Sequence, residues 1–247
     1  MTPWRTHSCV PCRDSLDTWK GYFLTSALVV LTALAARAET LHYSVNWQSG
    51  LSLGEAALTS DKIAPQADGG DEAGWKFELL LDAAVPGFTI RDEYSSTTDS
   101  KLCSSEVQKT VTRGARKSAE KLKVDPAART VARETKDGGK SQYSVPECVH
   151  DAMAFLQFVR QELAQGRMAP QQSVILGAKY DVHLTFTGTE TLRVAGEFQT
   201  VDRVRTEIKG PKAELTIDLF FMHDERRTPA LARIPLPLGT FTVELLP

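Results

Sequence analysis

Residues 151–164 read Asp-Ala-Met-Ala-Phe-Leu-Gln-Phe-Val-Arg-Gln-Glu-Leu-Ala. The stretch contains neither Pro nor Gly, and Asp151 is suited to cap the first turn of a helix. Ala152, Phe155, Leu156, Val159 and Leu163 fall at helical spacing on one face, and Met153, Ala154 and Phe158 carry the apolar surface round the side. A helix apolar over so much of its circumference has to be buried. Gly166 supplies the stop and Pro170 confirms it. This is the one convincing helix downstream of residue 38, so the rest of the fold has to provide its cover.

The flanking sequence alternates with a period of two. Leu41, Tyr43, Val45 and Trp47 alternate with polar residues, and Ala213, Leu215, Ile217, Leu219 and Phe221 form the cleanest such run. These patterns predict half-buried strands. Further strands are expected at 56–63, 75–81, 88–97, 102–111, 121–124, 130–135, 180–186, 191–194, 201–208, 231–234 and 241–245. Turns are expected at 50–54, Pro86-Gly87, Asp137-Gly138-Gly139, Gly188 and Ala195-Gly196-Glu197, and residues 65–74 read as a surface loop. About a dozen short strands around one apolar helix give a mainly β fold: a curved antiparallel sheet or partly open β-barrel wrapped around one buried α-helix. Curvature both covers the helix and hides sheet edges. Trp47, Trp75, Phe88, Phe155, Phe158, Phe186 and Phe221 are the aromatic core candidates.

Residues 22–36 are apolar and small, with Arg5, Arg13 and Lys20 before them and Ala36-Arg37-Ala38 after. That is the layout of a secretory signal peptide. The run is short for a membrane span, which needs roughly 20 residues. Cleavage after Ala38 would remove residues 1–38 and leave a single β-rich domain, 39–247, starting at Glu39. No cysteine sits at the cleavage point, so no lipid anchor is expected. The product is expected to be periplasmic or secreted and soluble, with no stable membrane span.

The Cys9-x-x-Cys12 pair would leave with that leader. Cys103 and Cys148 remain, and two thiols in an oxidising compartment usually pair; the alternative is two buried free thiols. Removing residues 1–38 takes away four basic and two acidic residues, leaving a net charge of −4. A mildly acidic chain with mixed signs argues against nucleic acid as a partner.

The motifs, taken in order, resemble the Domain of Unknown Function 3108 family of exported bacterial proteins. Tyr43-x-Val45-x-Trp47 with Gly54-x-Ala56 is similar to its first hairpin, and Cys148-Val149-His150-Asp151 with Leu156, Phe158 and Arg160 to its helix segment. Gly196-x-Phe198-x-Thr200, Asp224-Glu225-Arg226-Arg227-Thr228-Pro229 and Gly239-Thr240-Phe241 resemble its late turn and closing hairpin. Gln157 and Ala154 depart from the aromatic and Ser common at those positions, which speaks against a polar function on the helix. The resemblance implies a curved β-barrel around a helix, in outline like periplasmic lipoprotein carriers. Such likeness is one of fold and transfers no function.

Chemistry-bearing patterns are sparse. His150-Asp151 and His223-Asp224 hint at triad parts, but no G-x-S-x-G elbow accompanies them. His42, His150, His183 and His223 lack metal-ligand spacing. No catalytic, metal or cofactor-binding residue is assigned, and no cofactor is expected. Arg160, Arg226, Arg227, Phe155 and Phe158 are the candidate contacts to a ligand or partner. Arginine suits anion recognition, and the two phenylalanines would line any space left beside the helix. These residues favour a non-catalytic binding or carrier module for a lipid, another apolar ligand or an envelope component. The alternatives are a structural or interaction protein of the envelope with a filled core, and a hydrolase with an unrecognised site.

Overall fold

The computed structural model describes residues 38–65, 73–85, 87–237 and 239–247. The leader reading of residues 1–37 lies outside them, as do positions 66–72 of the expected loop and Pro86.

Strands β1 (Glu39–Trp47), β2 (Ser52–Ile63), β3 (Gly74–Val85), β4 (Phe88–Asp99), β5 (Ser104–Arg113), β6 (Arg116–Asp125), β7 (Thr130–Thr135) and β8 (Lys140–Ser144) form one run of antiparallel neighbours. A short β9 (His150–Asp151) leads straight into α1 (Ala152–Ala164). The chain continues through β10 (Gln172–Ile175), β11 (Lys179–Val194), β12 (Glu197–Lys209), β13 (Glu214–Met222), β14 (Pro229–Leu236) and β15 (Gly239–Leu245). All fifteen strands belong to one open, curved sheet in the order β8 to β1, then β15 down to β9. Only β9 with β10 is parallel. The halves join where β1 pairs with β15, Tyr43 opposite Leu245 and Trp47 opposite Phe241.

The helix lies in the curve of this sheet and packs on both halves. Met153 and Ala154 pack with Tyr43, Leu58 and Phe77 of β1–β3. Phe155, Val159 and Leu163 pack with Val174, Val182, Val204 and Phe221 of β10–β13. A third cluster, with Val107, Leu122, Val131, Val149 and Ile175, fills the space towards β5–β8. Gly166, at φ 71°, turns the chain out of the helix, with its N–H on the Leu163 carbonyl at 3.0 Å.

Several expectations need correction. The strands are longer and more numerous than the dozen expected. Gly188 does not turn the chain; it sits at a register shift within the 16-residue β11, a bulge that a residue without Cβ accommodates. Leu102 lies in the β4–β5 turn at φ 68° rather than in a strand. Phe88 and Phe186 are not core residues: they are 41% and 50% exposed. Alternation identified the polarity of a strand, while the strand runs beyond the part that the helix covers.

The helix start is fixed by buried polar contacts. Asp151 accepts from the Met153 and Ala154 N–H groups at 2.9 and 3.3 Å, and its other oxygen accepts from Ser104 Oγ at 2.7 Å. The Asp151 N–H in turn donates to Ser104 Oγ at 2.7 Å. Asp151→Ala removes the cap and leaves the Ser104 hydroxyl buried with one partner fewer. A loss of roughly 2–4 kcal/mol is expected, read as a lower urea midpoint at unchanged slope.

Candidate functional site

The catalytic-looking pairs dissolve into structural contacts. The His150 ring is buried, stacks on Phe158 with centroids 5.0 Å apart, and meets the Leu102 carbonyl through Nδ1 at 2.8 Å. A carbonyl only accepts, so Nδ1 is the protonated nitrogen. Asp151 is the helix cap. His223 pairs through Nε2 with Asp202 at 2.7 Å, not with Asp224, which instead holds Thr228. Among the described residues neither ring hydrogen-bonds a serine or threonine hydroxyl, and no three His, Cys, Asp or Glu side chains gather as a metal site.

Cys103 and Cys148 are bonded to each other, with Cα atoms 4.9 Å apart. The link staples the β4–β5 turn to the segment entering the helix. Ser104 N–H on the Val149 carbonyl (2.8 Å), the Ser104–Asp151 pair and the His150–Leu102 contact reinforce the same junction.

Arg160 is buried, 4% exposed, despite its place on an apolar helix. Its guanidinium donates to both Glu39 oxygens at 2.6 and 3.0 Å, to Gln157 Oε1 at 3.1 Å and to the Arg226 carbonyl at 2.9 Å. Arg226 adds a contact to Glu39 at 3.4 Å from a largely exposed side chain. Burial alone would push the Glu39 carboxyl up; the hydrogen bonds and charge of Arg160, helped by Arg226, outweigh it and hold the group below its usual range. Arg227 pairs with Asp202 at 3.0 Å. Phe155 is buried in the packing against β10–β13, and Phe158 lies on His150. The structure thus gathers Arg160 and Arg226 around Glu39 and places Arg227 in a separate ion pair.

None of these five residues lines the apolar cavity that the fold does leave. That cavity, about 310 Å³, lies at the N-terminal end of α1. Its walls are Leu79, Leu81 and Tyr94 from β3 and β4, Val107 and Leu122 from β5 and β6, Met153 from the helix, and Ile175 with Leu176 from β10 and its turn. It therefore sits at the seam where the β5–β8 wing faces the other end of the sheet. Charged residues ring it. Arg113 grips Asp92 with both Nη atoms, Nη2 to Oδ2 at 2.6 Å. Arg133 holds Glu120 at 2.5–2.6 Å. Burial and the Glu120 charge push the nearby Tyr143 phenol up to about 12, so it stays neutral. Lys109, opposite both Tyr94 and Glu120 in the ladder, places Nζ 5.0 Å from the Tyr94 ring centroid.

Sequence reading missed this ring. Asp92, Lys109, Arg113, Glu120 and Arg133 lie on or beside strands expected from alternation, where no site residue was assigned. The inward-facing set on β4–β7 mixes Val107, Leu122 and Val131 with Asp92, Lys109, Glu120 and Arg133, so alternation marks the face but not the ion pairs on it.

The family model described as Protein of unknown function (DUF3108) matches residues 42–246. The chain belongs to that family. No curated protein matches it. Among solved structures, the DUF3108 fold is similar to the crystal structure of a β-barrel-like protein of Domain of Unknown Function DUF1849 from Brucella abortus. The TM-score is 0.57 at 6% identity, over 84% of this chain and 94% of that one. At that identity the likeness is one of fold. Among the described residues no helix is long and apolar enough to cross a membrane.

Proposed function

We propose that the protein is a non-catalytic binding or carrier module of the cell envelope that holds an apolar ligand at the N-terminal end of α1. The observation that carries this reading is the mostly apolar cavity of about 310 Å³ at the seam of the sheet, beside a helix whose other faces are packed. Its size is at the lower end of the range for small-molecule pockets, roughly 300–1,000 Å³. Two features support the envelope assignment: residues 1–38 have the composition of a leader, and a disulfide suits an oxidising compartment. The product of cleavage would be one domain, 39–247. Arg226, largely exposed, is the proposed partner contact among the five candidates.

Native mass spectrometry of protein purified from the periplasm, followed by organic extraction, tests this. A chain beginning at Glu39 and carrying an apolar mass is the expected result. A clean ligand-free mass over several preparations would overturn the carrier reading. It would favour an envelope interaction protein, a second reading supported by the full packing of Phe155, Val159 and Leu163. In-cell cross-linking that captures one defined partner would then be the expected result.

A further inference from the structure

The apolar cavity does not stand alone. A second cleft of about 410 Å³, more polar, adjoins it and shares Lys109, Glu120, Leu176 and Gly177 with it. The remaining charged groups facing this cleft are Arg133, Asp137 and Lys212. The two spaces together have an apolar end and a charged end, with Lys109 on their common wall.

Most of the carboxylates facing these spaces already have partners: Asp151, on the wall of the apolar cavity, accepts from Ser104 Oγ and from the Met153 and Ala154 N–H groups. Asp92 is taken by Arg113, and Glu120 by Arg133. Lys109 has no carboxylate within 4.0 Å among the described residues, although Glu120 is its register neighbour on β6; its Nζ lies over the face of Tyr94 instead. Lys212 likewise has no carboxylate in range among the described residues and adds positive charge against Asp137. A half-buried ammonium left with an aromatic face is short of anionic partners, because cation–π attraction replaces only part of what a carboxylate or water would give.

We propose that the ligand is a single-chain amphiphile with an anionic head: its chain lies in the apolar cavity and its carboxylate or phosphate accepts hydrogen bonds from Lys109. This rests on the binding reading above and adds the head group to it. The modest apolar volume suits one chain rather than two. Asp92 and Glu120 are paired with arginines, which offsets their repulsion of the head, and the neutral Tyr143 near Glu120 adds no charge against it; Asp151, on the helix side of the cavity and held by Ser104 Oγ and two N–H groups, sets the head at the Lys109 side.

The test is binding of four probes of one chain length to protein stripped of copurified lipid on a hydrophobic resin: dodecanoate, dodecyl phosphate, dodecanol and dodecylammonium. Titration calorimetry is expected to show at least one anion binding about tenfold more tightly than dodecanol, as a charge-assisted hydrogen bond provides. Lys109→Met, which keeps the stem, should remove the advantage of the anion over dodecanol, and Lys109→Arg should retain it. Preference for dodecanoate or for dodecyl phosphate identifies the head as carboxylate or phosphate, and either supports the proposal. Equal affinity for dodecanol and both anions, or tightest binding of dodecylammonium, overturns the anionic head and leaves the apolar pocket standing. No binding of any probe removes the binding reading, and the proposal with it.

Discussion

Replacing Arg160 by Met is expected to destabilise the protein by about 3–5 kcal/mol, the usual consequence of removing one partner from a buried ion pair. The loss comes less from the missing attraction than from what remains. Glu39 keeps its charge at neutral pH, and its side chain is only 16% exposed. Among the described residues the Arg226 contact at 3.4 Å is the one ionic partner left to it, and the Arg226 carbonyl loses its donor. The double variant Arg160→Met/Glu39→Leu should recover much of the loss, because burying two apolar groups removes the desolvation problem. Urea unfolding of the four proteins in the cycle measures both statements. The pH dependence has a definite sign. Since the folded state holds the Glu39 carboxyl below its ordinary value near 4.5, its contribution is present above that pH and disappears as pH falls through the folded value. The stability gap between wild type and Glu39→Gln should therefore be widest at pH 7 and close towards pH 3. A gap that stayed constant would mean that the carboxyl has no ionic role.

Cys103→Ser/Cys148→Ser is expected to lower stability by a similar amount, about 4 kcal/mol on the chain-entropy account of a loop this long, the two cysteines being 45 residues apart. The effect reaches further than the loop. Cys103 precedes Ser104, whose hydroxyl orients the Asp151 cap, and Cys148 stands two residues before His150. Without the link these polar contacts must hold the helix start against β5 by themselves. Denaturant unfolding with and without reductant measures the effect, and wild type should converge on the double variant when reduced. A difference below 1 kcal/mol would assign the junction to its hydrogen bonds. Protein purified without reductant should present no alkylatable thiol from this pair.

The elements that were legible in the sequence share one property: a local rule was sufficient. The helix from 152 to 164 and its Asp151 cap follow from spacing and one side chain. Asp137-Gly138-Gly139 and Ala195-Gly196 mark hairpins because their backbones need unusual φ values. The misplaced features depend on distant partners. Gly188 satisfies a turn rule and a bulge rule equally, and only pairing with Arg203 decides between them. Phe88 and Phe186 alternate like core residues, but the strand carries them past the covered surface. Arg160 was placed correctly on the helix, yet its carboxylate is 121 residues away in sequence. The cavity was illegible for the same reason: Lys109 has Glu120 across the ladder, and only the folded structure shows that Arg133, from the next strand, takes that carboxylate.

The strand order has a kinetic consequence. Nearly every neighbouring pair in the sheet is a hairpin, closed soon after its second strand exists. The exceptions are the parallel β9–β10 pair, which spans α1, and the central ladder, where Ser44 and Glu244 are 200 residues apart. Such a contact carries the largest loop-closure entropy in the molecule and is expected to form last. Until Gly239–Leu245 arrives, β1 and β14 each expose a free edge at what will become the middle of the sheet, able to pair with another chain. The hazard of misassembly is thus concentrated in the final seven-residue strand, and the step that unites the two halves also removes the most adhesive surfaces of the unfinished protein.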